Sequence, residues 1–179
     1  MGKLHRISLP ALAATSLVLV TTSLVLVFFV APNDEFLGFS QRIFYFHVPI
    51  ALTAYACFGW GAWKALRVLW RGDQRADLES YVAIHQGVIF GALTLVTGSI
   101  WARASWGVWW SWSENQLVLF LVLFLFYCAY FMLRFSLEPG RARANMSAVY
   151  ALFATLYQVE LAGKRADAHL RELRELLSV

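Results

Sequence analysis

Residues 116–135 read QLVLFLVLFLFYCAYFMLRF and contain one charged side chain, Arg134, close to the end of the run. At a helical rise of 1.5 Å per residue, about 20 apolar residues cross the roughly 30 Å hydrocarbon core of a bilayer. Three further runs share this length and character, at residues 10–30, 43–66 and 81–102. The chain is therefore predicted to be an all-α integral membrane protein, a helical bundle with four transmembrane helices.

The composition agrees with a membrane environment. Of the 179 residues, 60% are hydrophobic and 15% are charged, whereas soluble domains are about one quarter charged. The first apolar run is longer than the core of a signal peptide, so we expect it to be retained as a helix. The two cysteines, Cys57 and Cys128, form neither a CxxC redox pair nor a CxxCH attachment motif. The net charge of +4 is too dispersed to indicate nucleic-acid binding.

Basic residues predict the topology. If the runs alternate across the membrane, nine basic residues share one side and only Arg42 and Arg103 lie on the other. The nine are Lys3, Arg6, Lys64, Arg67, Arg71, Arg75, Arg134, Arg141 and Arg143. Because cytoplasmic loops carry an excess of Lys and Arg, the N-terminus and the loops at 67–80 and 136–144 are predicted to be cytoplasmic. The segments 31–42 and 103–115 then face outward, which predicts a multi-pass protein of the bacterial cytoplasmic (inner) membrane.

The C-terminal part leaves two arrangements open. Residues 146–157 are apolar but short for a span, and a charged amphipathic stretch follows Gly163. Either a weak fifth helix at about 145–162 crosses the membrane, or residues 145–177 lie along the inner surface. Charge favours the second arrangement, since a crossing would place four more basic residues outside. We accordingly divide the chain into a transmembrane domain, 1–162, and an amphipathic charged tail, 163–179.

The segment 106–114, WGVWWSWSE, is the strongest functional feature. With Trp101 it holds five of the eight tryptophans within twelve residues, on the predicted outer side. One interpretation is an interfacial aromatic belt. A belt, however, is spread over all helix ends, whereas this cluster lies in one loop. The density favours a platform for a flat, apolar, π-rich ligand, because indole faces stack on such rings while their N–H groups reach polar edges.

Two histidines are candidate ligands. His47 precedes Pro49, and since proline is tolerated in a first helical turn, we expect His47 at or just before the start of the second helix, near the tryptophan loop. Neutral imidazole is a common ligand of haem iron, although a polar anchor is the alternative for a histidine at an interface. His85 lies near the cytoplasmic end of the third span. It is either a polar contact between helices or an inner-side haem ligand.

These segments resemble the cytochrome c assembly family of haem-handling membrane proteins, and within it the haem exporter protein C family. The tryptophan loop is similar to that family's WGxWWxWD signature, and residues 95–102 resemble the stretch that leads into it. Residues 43–49, IFYFHVP, are similar to a Tyr-x-His-Val-Pro segment of the family. The resemblance covers roughly residues 10–160.

The resemblance implies a haem transport or assembly factor of c-type cytochrome biogenesis rather than an enzyme. Haem b, bound transiently and non-covalently, is presented on the outer face to a haem chaperone, in association with an ABC-transporter-type membrane complex. His47 is then an axial ligand of the iron. The haem platform and chaperone docking surface comprise Trp106, Gly107, Trp109, Trp110 and Trp112. Arg42 and Arg103 are our own candidates for the haem propionates, with snorkelling at helix ends as the alternative.

Two departures from the family pattern stand out. Ser113 occupies the position of the motif's aspartate, and Glu114 supplies a carboxylate displaced by one residue. The charged tail takes the place where the family carries a second outward histidine, so we expect a C-terminally divergent or shortened member. Two other functions remain open: a cytochrome b-like electron-transfer subunit, which requires paired histidines at matching depths, and a haem-free structural subunit of a membrane complex.

Overall fold

The computed structural model describes residues 8–177, and the side chains of residues 169, 172, 173 and 175–177 are outside the description. The helices are α1 (Leu9–Val25), which continues as a π-helical turn (Leu26–Val30), α2 (Gln41–Arg71), α3 (Gln74–Trp106), α4 (Asn115–Ser136) and α5 (Arg141–Leu177). Among the described residues, the first four helices are long and apolar enough to cross a membrane. The prediction of an all-α membrane protein with four spans is confirmed. Lys3 and Arg6, which enter the topology prediction, lie outside the described residues.

The chain divides into two compact units, one ending at Phe46 and one beginning at His47. In the first unit, Pro10 lies in the first turn of α1 and the Ser8 hydroxyl accepts a hydrogen bond from the Ala11 N–H at 3.3 Å. The connection to α2 is ordered around Asp34, whose Oδ1 accepts from the N–H groups of Phe36 and Leu37, both at 2.8 Å. These two bonds lower the pKa of the Asp34 carboxyl, because they stabilise its charged form.

The second unit is held together by close helix packing at glycines. A Cβ at Gly61 would lie 2.6 Å from the Ile84 side chain, and one at Gly87 would lie 2.6 Å from the Phe58 ring. Small residues at these positions allow α2 and α3 to approach closely, as is common for helices within membranes. Phe58 also stacks on Tyr127 of α4, with the ring centroids 4.1 Å apart. The core therefore lies between α2, α3, α4 and the alanine-rich face of α5.

Helix α5 corrects the arrangement that the charge pattern favoured. It runs antiparallel to α4: the Tyr127 hydroxyl lies 2.7 Å from Thr155 Oγ1, Gln158 donates to Leu119 O, and Arg165 donates to Asn115 O. Residues 141–165 thus lie alongside α4 up to its first residue, and not across the end of the bundle. The preference for the surface arrangement was wrong because it weighed charge alone. The packing face of α5 consists of small buried residues, Ala148, Ala151 and Ala154. The average hydropathy of the segment does not reveal such a face.

The two ends of the second unit are distinct. The α2–α3 turn and the start of α5 share one end, since a Cβ at Gly72 would lie 3.6 Å from the Arg141 guanidinium. The tryptophan loop and Arg165 lie at the other end, because Arg165 binds the first residue of α4. Because α5 runs antiparallel to α4, four further basic residues fall on the predicted outer side: Lys164, Arg165, Arg171 and Arg174. The basic asymmetry is then nine against six, and the orientation stays a prediction.

Cysteine labelling checks that orientation. We expect a cysteine at Val108, which is exposed, to react with a membrane-impermeant reagent added to intact spheroplasts, and one at Gln74 to react only after permeabilisation. A cysteine at Gly163 should label together with Val108, because α5 places both near the same end of the unit. Cys57 and Cys128 are replaced by serine in all variants so that they give no background. Protection of Val108 with labelling of Gln74 would reverse the topology and with it the outward site.

Two ion pairs join the helices at the end opposite the tryptophan loop. Arg134 binds both carboxylate oxygens of Asp77, at 2.8 and 2.7 Å, with side-chain exposures of 7% and 18%. The Arg134 guanidinium also lies over the Tyr81 ring, 4.9 Å from its centroid. Lys64 and Glu79 form the second pair at 2.6 Å. A bidentate pair of this kind ties α4 to α3 with defined geometry.

Breaking the Arg134–Asp77 pair should destabilise the bundle. Arg134→Met leaves the Asp77 carboxylate without its partner, which typically costs about 3–5 kcal/mol in a buried site. The thermal midpoint of the purified protein in detergent should fall clearly, and Asp77→Leu/Arg134→Met should recover part of the loss. Arg75→Met, which removes a partner from an exposed pair with Glu79, is the matched control and should change the midpoint little. An unchanged midpoint in Arg134→Met would refute this role.

Candidate functional site

His47 lies within α2, and not at its start. The helix begins at Gln41 and contains Pro49 in its interior, so the prediction that Pro49 marks the first turn was wrong. Proline removes one backbone hydrogen bond from a helix, but membrane helices tolerate this when neighbouring groups compensate. The carbonyl that loses its partner here is that of Tyr45, four residues before Pro49, while the Pro49 carbonyl itself accepts from the Thr53 hydroxyl at 2.7 Å. His47 is consequently carried on regular helix and oriented by that helix.

The imidazole of His47 packs directly on the backbone of α3. Its Nδ1 lies 2.9 Å from Thr97 Oγ1, and a Cβ at Gly98 would lie 2.9 Å from its Cε1. The side chain is half-buried. Contact with bare backbone on one side and a hydroxyl on the other fixes the ring, so Nδ1 is engaged by Thr97 while Nε2 has no hydrogen-bond partner among the described residues.

Trp101 connects the His47 position to the tryptophan loop. It follows Thr97 by four residues and Gly98 by three, so it lies one turn further along the same face of α3. Its ring meets Trp106 edge-on, with the centroids 4.9 Å apart. Gly107 lies nine residues beyond Gly98, about 13 Å along the helix. His47 is therefore about two and a half turns below the loop, with Trp101 between them.

The loop itself begins where Gly107 ends α3 with a positive φ of 77°. Trp109 and Trp112 are 61% and 73% exposed, while Trp110 is half-buried and meets Trp112 edge-on at 5.8 Å. The indole N–H groups of Trp101 and Trp110 are buried and have no acceptor among the residues that the structure describes. Indoles of an interfacial belt keep their N–H groups wet, so these two depart from that pattern.

The two arginines proposed for propionates have protein partners. Arg103 donates to the Gly107 carbonyl and so closes the C-terminal turn of α3. Arg42, in the first unit, donates to the Phe28 carbonyl at 2.6 Å and to Asn33 Oδ1 at 3.1 Å. Both guanidinium groups thus stabilise local backbone turns, and a second role would have to use their remaining donors.

Ser113 and Glu114 occupy the junction between the loop and α4. The Ser113 hydroxyl lies 2.8 Å from that of Ser111, and both Ser113 and Glu114 are exposed. Glu114 directly precedes the first turn of α4. Its negative charge there interacts favourably with the positive end of the helix dipole and so stabilises the helix. The displaced carboxylate therefore has a local structural role at this helix start.

His85 is remote from His47. It lies twelve residues from Thr97 on α3, about 18 Å along the helix. Its ring contacts Tyr81 and Phe131, with centroid separations of 6.2 and 5.9 Å. One iron atom cannot bind both histidines, so the structure brings His47 and the tryptophans towards one end and leaves His85 towards the other.

Comparison with known proteins identifies the family. Residues 1–159 match the family model described as "CcmC: Heme exporter protein C". The chain belongs to this CcmC family. Among curated proteins named Heme exporter protein C, that of Paracoccus denitrificans is 31% identical over 72% of this chain and 53% of the relative. That of Rhodobacter capsulatus is 29% identical over 84% and 62%, and that of Escherichia coli K12 is 34% identical over 66% and 48%. The resemblance inferred from the motifs is confirmed.

This CcmC-family chain spans about half the length of the curated relatives it matches. Within the matched part, the structure adds two residues that motif reading did not assign to the site, Thr97 and Trp101. The signal was present in their spacing: they are four apart on α3, and that face leads into the tryptophan loop. What the spacing could not reveal is that the same face receives His47 from α2.

Proposed function

We propose that this chain binds haem at the outer face of the bacterial cytoplasmic membrane and presents it to a haem chaperone for c-type cytochrome biogenesis. Haem is the cargo, held transiently and without a covalent bond. The relatives' shared name, Heme exporter protein C, supports haem as the ligand. The observation that carries the proposal is one face of α3, which contacts His47 at Thr97 and Gly98, carries Trp101 one turn further and leads into the tryptophan loop.

The residues present fit haem in their chemistry. Among the described residues no hydrogen bond occupies His47 Nε2, which leaves that nitrogen to act as an axial ligand of the iron. Exposed rings of Trp109 and Trp112 offer apolar faces for a macrocycle. The buried N–H groups of Trp101 and Trp110 can donate hydrogen bonds to a partner such as a propionate carboxylate. Trp106 and Gly107 complete the proposed platform, and Ser113 and Glu114 lie at its edge.

The proposed division of the chain assigns residues 1–162 to haem handling and residues 163–179 to a charged tail. Helix α5 passes through this boundary without a break, and Arg165, on the tail side of it, donates to the Asn115 carbonyl of α4. The sequence has no Gly-rich phosphate loop, so an energised step is proposed to depend on an ABC-transporter-type membrane complex. His85, remote from the outer site, is the separate candidate for an inner-side haem ligand.

An electron-transfer cytochrome b requires two histidines at one depth. His85 lies about 18 Å along α3 from Thr97, the residue that His47 contacts, which disfavours that function for the described histidine side chains. The positions of His47 and the tryptophans suit ligation from one side together with stacking.

Purification tests the proposed function. The full chain, expressed with its partner complex in haem-replete cells and extracted in mild detergent, should show the Soret band of non-covalent haem. It should also co-purify with a haem chaperone and transfer haem to it. A well-expressed, inserted protein without haem would overturn the proposal and favour a structural subunit. A stable bis-histidine spectrum without transfer would favour electron transfer.

A further inference from the structure

The hydroxyl of Thr97 belongs to a small hydrogen-bond network with His47. Thr97 Oγ1 lies 2.9 Å from His47 Nδ1, 2.8 Å from the Leu93 carbonyl oxygen and 3.3 Å from the Thr94 carbonyl oxygen. A hydroxyl has one proton to donate and can accept through its lone pairs. The direction in which that proton points therefore decides which nitrogen of His47 carries hydrogen.

Two arrangements are possible for a neutral imidazole. In the first, Thr97 donates to the Leu93 carbonyl and accepts from His47 Nδ1–H, so both short contacts are hydrogen bonds. In the second, Thr97 donates to an unprotonated Nδ1, the short contact with Leu93 is lost, and the proton on Nε2 has no acceptor among the described residues. The first arrangement is the more stable, because it makes hydrogen bonds of both short contacts whereas the second makes only one.

We propose that Thr97 is a positioning residue that holds His47 in the Nδ1–H tautomer, with the Nε2 lone pair free. Gly98 provides the space for this contact, because a side chain there would collide with the imidazole. The consequence for haem rests on the proposed function: a ring held in this tautomer presents Nε2 to the iron without prior loss of a proton. Metal-binding histidines commonly donate their other N–H in this way, which orients the ring and raises its basicity.

The tautomer can be measured without haem. In ¹⁵N NMR of the full haem-free chain in detergent, at a pH where His47 is neutral, its Nδ1 should be the protonated nitrogen. The signal is assigned by its absence from His47→Gln. Thr97→Val keeps the side-chain shape but cannot accept, so the Nε2–H tautomer should gain population, whereas Thr97→Ser should behave as wild type. Thr94→Val is the matched control, since the Thr94 hydroxyl donates to Phe90 O one turn away. An Nε2–H tautomer in the wild type, or no change in Thr97→Val, would overturn the proposal.

Haem titration then separates this inference from the proposed function. Removal of such a supporting partner typically weakens metal binding about 10- to 100-fold, and we expect this loss in Thr97→Val but not in Thr97→Ser or Thr94→Val. The midpoint potential of the bound haem should also rise in Thr97→Val, because a less basic imidazole stabilises the ferric state less. If His47→Ala binds haem as the wild type does, the proposed function fails. If His47→Ala loses haem while Thr97→Val keeps wild-type affinity and potential, the role of Thr97 fails and that of His47 stands.

Discussion

Replacement of His47 by alanine is expected to remove most of the haem from the purified protein. The change deletes the imidazole that packs on Gly98 and Thr97, and with it the proposed bond to iron. Loss of a supporting residue alone weakens metal sites about 10- to 100-fold, so loss of the ligand itself should cost at least as much. The visible spectrum, expressed as haem per protein, measures the effect. Imidazole added to His47→Gly should restore part of the Soret band.

His85→Ala is the matched control for this experiment. It removes an imidazole of the same helical bundle that contacts the Tyr81 and Phe131 rings, about 18 Å along α3 from Thr97. Haem content should stay close to that of the wild type. Equal haem content in His47→Ala and wild type would remove His47 from the site. Greater loss in His85→Ala would move the site to the opposite end of the bundle.

The double change Trp109→Ala/Trp110→Ala is expected to abolish haem transfer while the protein remains inserted at its normal level. Stacking contributes about 0.5–1.5 kcal/mol per aromatic pair beyond burial, and interface hot spots contribute about 2 kcal/mol or more. Because about 1.4 kcal/mol corresponds to a tenfold change in affinity, loss of both rings should reduce binding by about two orders of magnitude. Membrane level, bound haem and chaperone loading are measured for each variant.

Controls distinguish a platform from an aromatic belt. Trp63 and Trp70 on α2 are also exposed, so Trp63→Ala/Trp70→Ala removes the same number of indoles outside the tryptophan loop. That variant should keep haem transfer. Phenylalanine at Trp109 and Trp110 should restore anchoring but only part of the transfer, since phenylalanine has no N–H donor. Normal transfer by the double alanine variant of the loop would show that these tryptophans serve as a belt.

The membrane fold was predictable because each membrane-spanning helix is determined by the composition and length of one contiguous segment. A run such as 116–135 satisfies its backbone within one helix and presents apolar side chains all round, so composition and length suffice. The observed helices extend past the predicted limits, as with α3 at Gln74–Trp106, because polar flanking residues continue a helix beyond the hydrocarbon region. The family also followed from local sequence, since its signature is contiguous.

Helix α5 and the position of His47 required the tertiary structure. Charge alone placed residues 145–177 on the inner surface, but the buried alanines and the Tyr127–Thr155 contact hold α5 against α4. Pro49 suggested a helix start, yet α2 begins eight residues earlier, at Gln41. Both errors have one cause: the stability of a segment depends on its neighbours, which a reading of that segment alone does not contain.

Sequence patterns were enough to predict a multi-span helical membrane protein of the CcmC family with a concentrated tryptophan loop. The contact of His47 with Thr97 and Gly98, about fifty residues away along the chain, is visible only in the folded chain, as is the position of Trp101 between this contact and the loop. Helical periodicity shows which residues share a face of one helix. Which helix meets that face depends on the packing of side chains from distant segments, and that packing exists only in the assembled bundle.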